Sequence, residues 1–563
     1  MVLRRRALLG RTADFTKLGL AAAVLGPAAV ACGPAQNGTQ GTGQGQPSSG
    51  NQQPAGQPVK GGTFTVGTFG DAASMQPLLT SDTSSSNYID NHYYAPLVTR
   101  NPDTLEYETE YGTAESFEVS ADSLTITFKL KPNVTWSDGH PITAQDYKFT
   151  WDKKLDPAVD YPYKSNLKYF ESLTAPDDRT LVFKLKEAYC PAIDQTIQSS
   201  VIPKHIFENL NINDNPLNQK PTVGSGPWLL QEWVKDDHAT FVANDKFYLG
   251  RPNLDRYVYR VVKDATVAYS MLKSGEVDRA GILAIDWDEA KSLKNIQTYN
   301  YYPAGPSWDY IGYNLRNEML KDVRVRQAFA YALDRKTMVD RIKLGHARPL
   351  NSFLAPASWA YSDNVQKYDF NVAKAKQLLD EAGWKAPAND PNGTRTKDGK
   401  PLKMRIFYNA GNPDREKIAT IAQQQLKAVG VDLEVIAEEW NAYLNRVNKT
   451  YDMEMYVLGW SSPIDPATSQ NIYTTGAGQN SMGYSNPTVD ELFPKANNYP
   501  GCAQADRAKV YAQIQQALAA DPPYNFLWEN ENLSGVSDRI VVNKMTKLGY
   551  GYRPWEWFSK TGK

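Results

Sequence analysis

The chain of 563 residues is too long for a single hydrophobic core and long enough for two or three domains. Its 61 basic and 62 acidic residues nearly cancel, which argues against a nucleic-acid partner, since that requires a basic face. Three cysteines exclude a disulfide scaffold, while 33 tyrosines and 13 tryptophans supply ring surface for cores and for ligand walls.

The N-terminus reads as an address. Arg4-Arg5-Arg6 is a basic n-region, and 18–31 is an apolar run too short and too broken to span a bilayer. It ends in Ala29-Val-Ala-Cys32, small residues before a cysteine, the pattern of a bacterial lipobox. Residues 1–32 are therefore expected to be a lipoprotein signal peptide with Cys32 lipidated, and the arginine pair leaves both general secretory and twin-arginine export open. Residues 33–59 are rich in Gly, Gln, Pro and Ser and form a flexible tether spanning roughly 25–30 Å. No later run is long and apolar enough to cross a membrane.

The body begins with alternation at Gly61-Gly-Thr-Phe-Thr-Val-Gly67, a first strand, followed by a polar loop and a short helix over 88–98. From 106 the pattern is β-rich, with strands at 114–119, 124–130 and 181–185. Thr143 with Asp146 three residues later is a capping box that opens a helix after the Asp138-Gly139 turn. Gly224-Ser-Gly-Pro227 is a tight turn before an alternating strand, its glycines suited to unusual backbone angles. Strands at 239–243 and 257–262 follow, then a helix capped by Asp264 and closed by Gly275. Beyond 309, helices at 323–342, 372–382, 415–429, 440–448 and 507–519 alternate with strands at 402–408, 431–436 and 453–458, as in a sheet covered by helices on both faces.

Catalytic motifs are missing. No Gly-x-Ser-x-Gly elbow and no His-Glu-x-x-His occurs. The stretch 393–400 has the wrong spacing for a phosphate loop, and Pro401 stands where Ser or Thr is required. Asp390-Pro-Asn-Gly-Thr394 lacks the glycine and glutamate of a calcium loop, with Arg395 and Pro401 in their places. The five histidines show no metal-ligand spacing. Nothing in the sequence supports an enzyme, and no cofactor and no metal is expected. Cys190 and Cys502 are an even pair, either disulfide-bonded in an oxidising compartment or two thiols.

An ordered set of motifs runs from residue 60 to the C-terminus: Val134-Thr-Trp-Ser-Asp-Gly-His-Pro141, Gly224-Ser-Gly-Pro-Trp228, 244–255, Leu272-Lys-Ser-Gly-Glu-Val-Asp278, 323–334, 373–384 and Leu458-Gly-Trp460. In this set the chain resembles the extracytoplasmic solute-binding proteins of ABC importers, in particular the oligopeptide/dipeptide-binding family. The resemblance implies an α/β fold of two lobes joined by a hinge, with an extra inserted subdomain. Lobe I would comprise 60–95, 215–300 and 528–563, the β-rich insert 96–214 and lobe II 301–527, with hinges near 297–305 and 525–532. It further implies a monomer, anchored outside the cytoplasmic membrane, that captures a solute between its lobes and delivers it to a membrane permease. The rival functions are a sensory receptor or a hydrolase built on the same body.

The resemblance also places the ligand. It implies a cleft walled by Met75 and Gln76, by Trp308 and Tyr310, by Asn409 and Gly411, by Trp460, Ser461 and Asp465, and by Trp440 and Tyr484. Relatives that hold a peptide ammonium place an Asp where this chain has Pro463, with Asp465 two residues on as a substitute. The arginine that dipeptide binders place after the strand at 402–408 is also lacking, because Arg415 begins a helix. An oligopeptide held through its backbone is the favoured ligand, and an oligosaccharide stacked on Trp308 and Trp460 is the alternative.

Overall fold

The computed structural model describes residues 58–563 except 81, 91, 198 and 199; Cys32, the signal and most of the tether lie outside the described residues. The body is mixed α/β, built around two large sheets and a smaller third. In the first large sheet Thr63–Thr68 lies at the centre, parallel to Arg256–Val261 on one side and to Arg279–Gly281 on the other. Arg256–Val261 continues antiparallel into His238–Ala243 and Trp228–Val234. Arg279–Gly281 continues antiparallel into Asn532–Ser537, which pairs with Ile296–Tyr301. One lobe is thus assembled from the beginning, the middle and the end of the chain.

The second sheet has the order Ala347–Pro349, Tyr524–Asn530, Ser307–Tyr313, Met455–Ser461, Lys403–Asn409, Asp432–Glu438. Its edge is a βαβ unit in which helix Pro413–Lys427 connects two parallel strands. Helices cover both faces, and each face has its own apolar core, one around Phe329, Leu379 and Ile418, the other around Tyr310, Tyr473 and Phe493. The chain passes between the large sheets twice, from Tyr301 to Ser307 and through Glu531. Glu531 binds both sides of this crossing, accepting from Asn300 Nδ2 at 2.8 Å and pairing with His346 Nδ1 at 2.6 Å.

The third sheet has the order Ala114–Val119, Thr125–Leu130, Thr180–Leu185, Phe170–Asp177 and is antiparallel throughout. Helix Ala144–Leu155 packs on it, with Thr143 and Asp146 closing the capping box. This insert touches the second lobe. Cys190 and Cys502 form a disulfide with their Cα atoms 5.2 Å apart, and the Cys190 amide donates to the Asn497 carbonyl at 2.8 Å.

Three local expectations are corrected. The helix expected at 88–98 is Thr83–Ile89, capped by Asp82; Asp90 leaves the helical conformation and a turn follows that buries Tyr93 and Tyr94, their amides both donating to the Ile89 carbonyl. The long helix expected over 323–342 stops at Ala332, and Asp334 caps a new turn by accepting from the Thr337 amide at 3.0 Å. Gly224 and Gly226 do not take positive φ. They are required because the chain runs against the backbone of His92 and Tyr93; a Cβ on Gly226 would lie 2.1 Å from the His92 carbonyl oxygen.

Candidate functional site

Two cavities of about 480 and 830 Å³ lie between the two large sheets and share Asn87, His92, Arg279, Ser307 and Asn532 as walls. The smaller also touches Arg100, Ser200, Tyr301, Ser461, Pro463 and Arg553. The larger opens past His346, Lys343 and Asp414. Strand ends and crossing segments supply most of these residues. That is the expected place for a site between two sheets, where side chains from separate elements converge without interrupting a hydrogen-bond ladder.

The polar groups of the walls are mostly matched. Asp414 pairs with Lys343 at 2.8 Å and Glu108 with Arg553 at 2.6 Å. Asp90 accepts from Ser200 at 3.0 Å, and burial pushes its carboxyl up to about 7. Burial also lowers the His92 imidazole to about 4, the nearby Arg279 acting in the same direction, so this histidine is neutral at physiological pH.

The structure brings few of the sequence-predicted residues to these cavities. Ser461 is a wall residue. Trp308 is only 1% exposed and packs in the second lobe's core, its indole N–H donating to Ser462 at 3.0 Å. Tyr310 and Tyr484 are buried in the same core, Tyr310 with its ring 4.0 Å from that of Tyr524. Trp460 packs against that core with its indole directed at the Tyr524 hydroxyl. Met75 and Gln76 are buried in the first lobe, where the Gln76 amide donates to Asn218. Asn409 accepts from Arg415 at 2.6 Å, and Gly411 takes φ +82° in the turn before the helix. Trp440 begins helix Trp440–Asn445. Met75, Gln76, Trp308, Tyr310 and Tyr484 are taken up by the packing of their own lobes, whereas Gly411 is exposed and borders neither cavity.

Asp465 is the clearest correction. It is buried and accepts both guanidinium arms of Arg507, at 2.8 and 2.9 Å, so it is not open to a ligand ammonium. A second buried pair, Arg100 with Asp194 at 3.4 Å, lies close enough that its charges act on Asp465 and Arg507. Burial holds the Asp194 carboxyl well above the ordinary range. The insert and the second lobe therefore meet through a buried charge cluster beside the disulfide. In the same lobe Glu529 is wholly buried with no hydrogen-bond partner for either oxygen, and burial raises it to about 7.

Arg279, His92, Tyr301 and Asn532 were not legible as site residues. Only assembly of the first sheet from distant segments puts them together. Chain spacing also concealed a surface cluster on the insert. His140 and His205 stack with ring centres 4.2 Å apart, and both bond Asp138, with one ligand atom from each of the three within 4.8 Å of the others. None of the three lines the cavities between the lobes.

Two α/β lobes, each with its own core, joined by two chain crossings and enclosing two cavities of mixed polar and apolar lining, define a two-lobed solute-binding protein. Residues 108–481 match the family of bacterial extracellular solute-binding proteins, family 5, and the chain belongs to that family. It is 32% identical over 515 residues to the oligopeptide-binding protein AppA of Bacillus subtilis, covering 89% of this chain and 91% of AppA. It is 26% identical over 516 residues to heme-binding protein A of Haemophilus influenzae, covering 87% and 91% of the two chains. Among solved structures it is similar to Bacillus subtilis AppA in complex with a nonapeptide, with a TM-score of 0.79, 30% identity and coverage of 89% and 100%. The likeness to NikZ of Campylobacter jejuni in complex with Ni(L-His) has a TM-score of 0.79 at 26% identity and covers 90% and 100%. Among the described residues no helix is long and apolar enough to cross a membrane.

Proposed function

We propose that this protein captures oligopeptides outside the cytoplasmic membrane and delivers them to an ABC permease. The observation that carries this is the interlobe cavity system, at about 480 and 830 Å³, in a chain that shares its fold over nearly its whole body with a relative solved around a nonapeptide. Both volumes lie in the range of roughly 300–1,000 Å³ of small-ligand sites. The walls combine hydrogen-bonding groups such as Asn87, Ser307, Ser461 and Asn532 with charged groups that are mostly paired within the protein, which suits ligands of varied side chains held largely by their backbones. An oligosaccharide could not stack on Trp308, one of the two tryptophans expected to hold it, because that ring is buried.

Ligand stabilises the closed arrangement because only there do both lobes touch it, and the crossings at 302–306 and Glu531 carry the motion. A lipid on Cys32 and the tether at 33–59 would keep a monomeric body within reach of the permease. Divided at the two crossings, lobe I comprises 60–95, 215–301 and 532–563, the insert 96–214 and lobe II 307–530, which moves the expected return to lobe I from 528 to 532.

Native mass spectrometry of the gently desolvated protein tests the reading. A ladder of co-purified peptide masses is expected. A single hexose-spaced, heme or metal-chelate adduct that no peptide displaces would overturn it.

A further inference from the structure

We propose that Arg279 is the carboxylate-recognising group of the cleft, so that the protein selects peptides through a free carboxylate and not through the backbone alone. This rests on the peptide reading above and specifies which end of the ligand the first lobe grips.

The local fold fixes the direction of the side chain. Strand Arg279–Gly281 pairs with Thr63–Thr68 at Val66 and with Asn532–Ser537 at Val536. Successive residues of a strand point to opposite faces. Asp278 turns into the body of the lobe, where it accepts from the Thr65 amide at 2.8 Å and from Arg539 at 2.6 Å. Arg279 therefore faces the other way, and it borders both cavities at their junction.

The charges around it single it out. Of the other cationic wall residues, Arg100 pairs with Asp194, Arg553 with Glu108 and Lys343 with Asp414. Lys417, at the edge of the larger cavity, is exposed to solvent. Among the described residues no carboxylate pairs with Arg279. Its guanidinium instead lies 5.3 Å from the ring centre of Tyr550, with Tyr257 and Tyr301 beside it. The neighbouring His92 is neutral, and Glu531 is already engaged by His346 and Asn300.

A half-buried cation with aromatic neighbours and no anion is a site that an incoming carboxylate completes. Its planar fork accepts a carboxylate through two parallel hydrogen bonds, stronger than neutral ones and specific in direction. Tyr550 meets the guanidinium with its ring face, and none of the three tyrosines neutralises it. The same chemistry is offered by a peptide C-terminus and by an aspartate or glutamate side chain.

The test uses the full chain and three pools of synthetic nonapeptides of neutral composition: free acids, C-terminal amides, and amides carrying one glutamate. Retention is read by native mass spectrometry and affinities by calorimetry. The expected result is that the wild-type protein prefers the free acids over the neutral amides by tenfold or more. Arg279→Gln abolishes that preference while still binding both pools, and Arg279→Lys keeps part of it. Recovery of binding in the glutamate-bearing amides assigns the contact to acidic side chains as well as to the terminus. Equal retention of all three pools by the wild-type protein would overturn the proposal, whatever the variant's folding. So would an undiminished preference in a folded Arg279→Gln. If none of the three pools binds the wild-type protein, the peptide reading itself is refuted, and this proposal with it.

Discussion

Asp465→Ala is the perturbation for which the sequence and the structure give opposite answers. By its position after Gly459-Trp460 this residue is a substitute anchor for a peptide ammonium, whereas in the structure it is held inside lobe II by Arg507. Removing it leaves the Arg507 guanidinium buried, with only the Ala496 carbonyl at 2.9 Å and the Tyr511 hydroxyl at 3.4 Å. Breaking a buried ion pair from one side costs about 3–5 kcal/mol. The Asp465 carboxylate also accepts from the Ala467 amide at 3.0 Å, a cap worth at most about 1 kcal/mol more. For a domain the size of lobe II this corresponds to a fall of its calorimetric transition by on the order of 10 °C. Peptide affinity measured below that transition should stay within a factor of about three of wild type. Asp465→Leu combined with Arg507→Met, which removes both charges and keeps apolar volume, should recover most of the loss. An unchanged transition together with a tenfold loss of peptide affinity would refute the reasoning and restore Asp465 as a ligand anchor.

Gly226→Ala should destabilise lobe I by about 1–3 kcal/mol, since its Cβ would overlap the His92 carbonyl and nothing nearby but backbone can move; a neutral effect on melting would show that the turn is looser than described. Glu529 has a folded pKa of about 7, above its unfolded value near 4.5, so the native state binds the extra proton and stability falls as pH rises between those values. The upper bound is about 3 kcal/mol, lowered by whatever solvent reaches the carboxylate. Glu529→Gln should therefore melt higher than wild type at pH 8 and equally at pH 4, and a wild-type curve flat across this range would contradict the burial. Cys190→Ser removes a link between residues 312 apart, with a chain-entropy ceiling of about 6 kcal/mol. The ligand-free variant should show a larger radius of gyration in X-ray scattering than the oxidised protein, because the insert is then free to leave lobe II; identical radii would mean that the buried charge cluster alone holds the contact.

Much of the architecture was legible because its signals are local. The capping box at Thr143 and Asp146 and the Asp264 and Gly275 helix ends depend on side chains within a few residues of the backbone groups they satisfy. The alternation at 403–409 and the helix that follows fall within two residues of where periodicity puts them. The ordered motifs were enough to place the chain among two-lobed solute-binding proteins. The misread segments are those in which tertiary packing overrode local preference, as where Tyr93 and Tyr94 are drawn into the core of lobe I.

The sequence by itself determined many of the secondary elements, the family and the absence of recognisable catalytic motifs, since each of these is written in short-range patterns of size, polarity and backbone freedom. Only the tertiary structure decided which residues face the cleft. An aromatic or charged side chain looks the same in the sequence whether it walls a cavity or fills a core. For Trp308 and Asp465 the difference is made by Ser462 and Arg507, which only the folded sheet and its helices bring into contact. For Arg279 it is made by the meeting of three strands from the start, the middle and the end of the chain, which leaves its charge bordering the cavity with no carboxylate partner among the described residues.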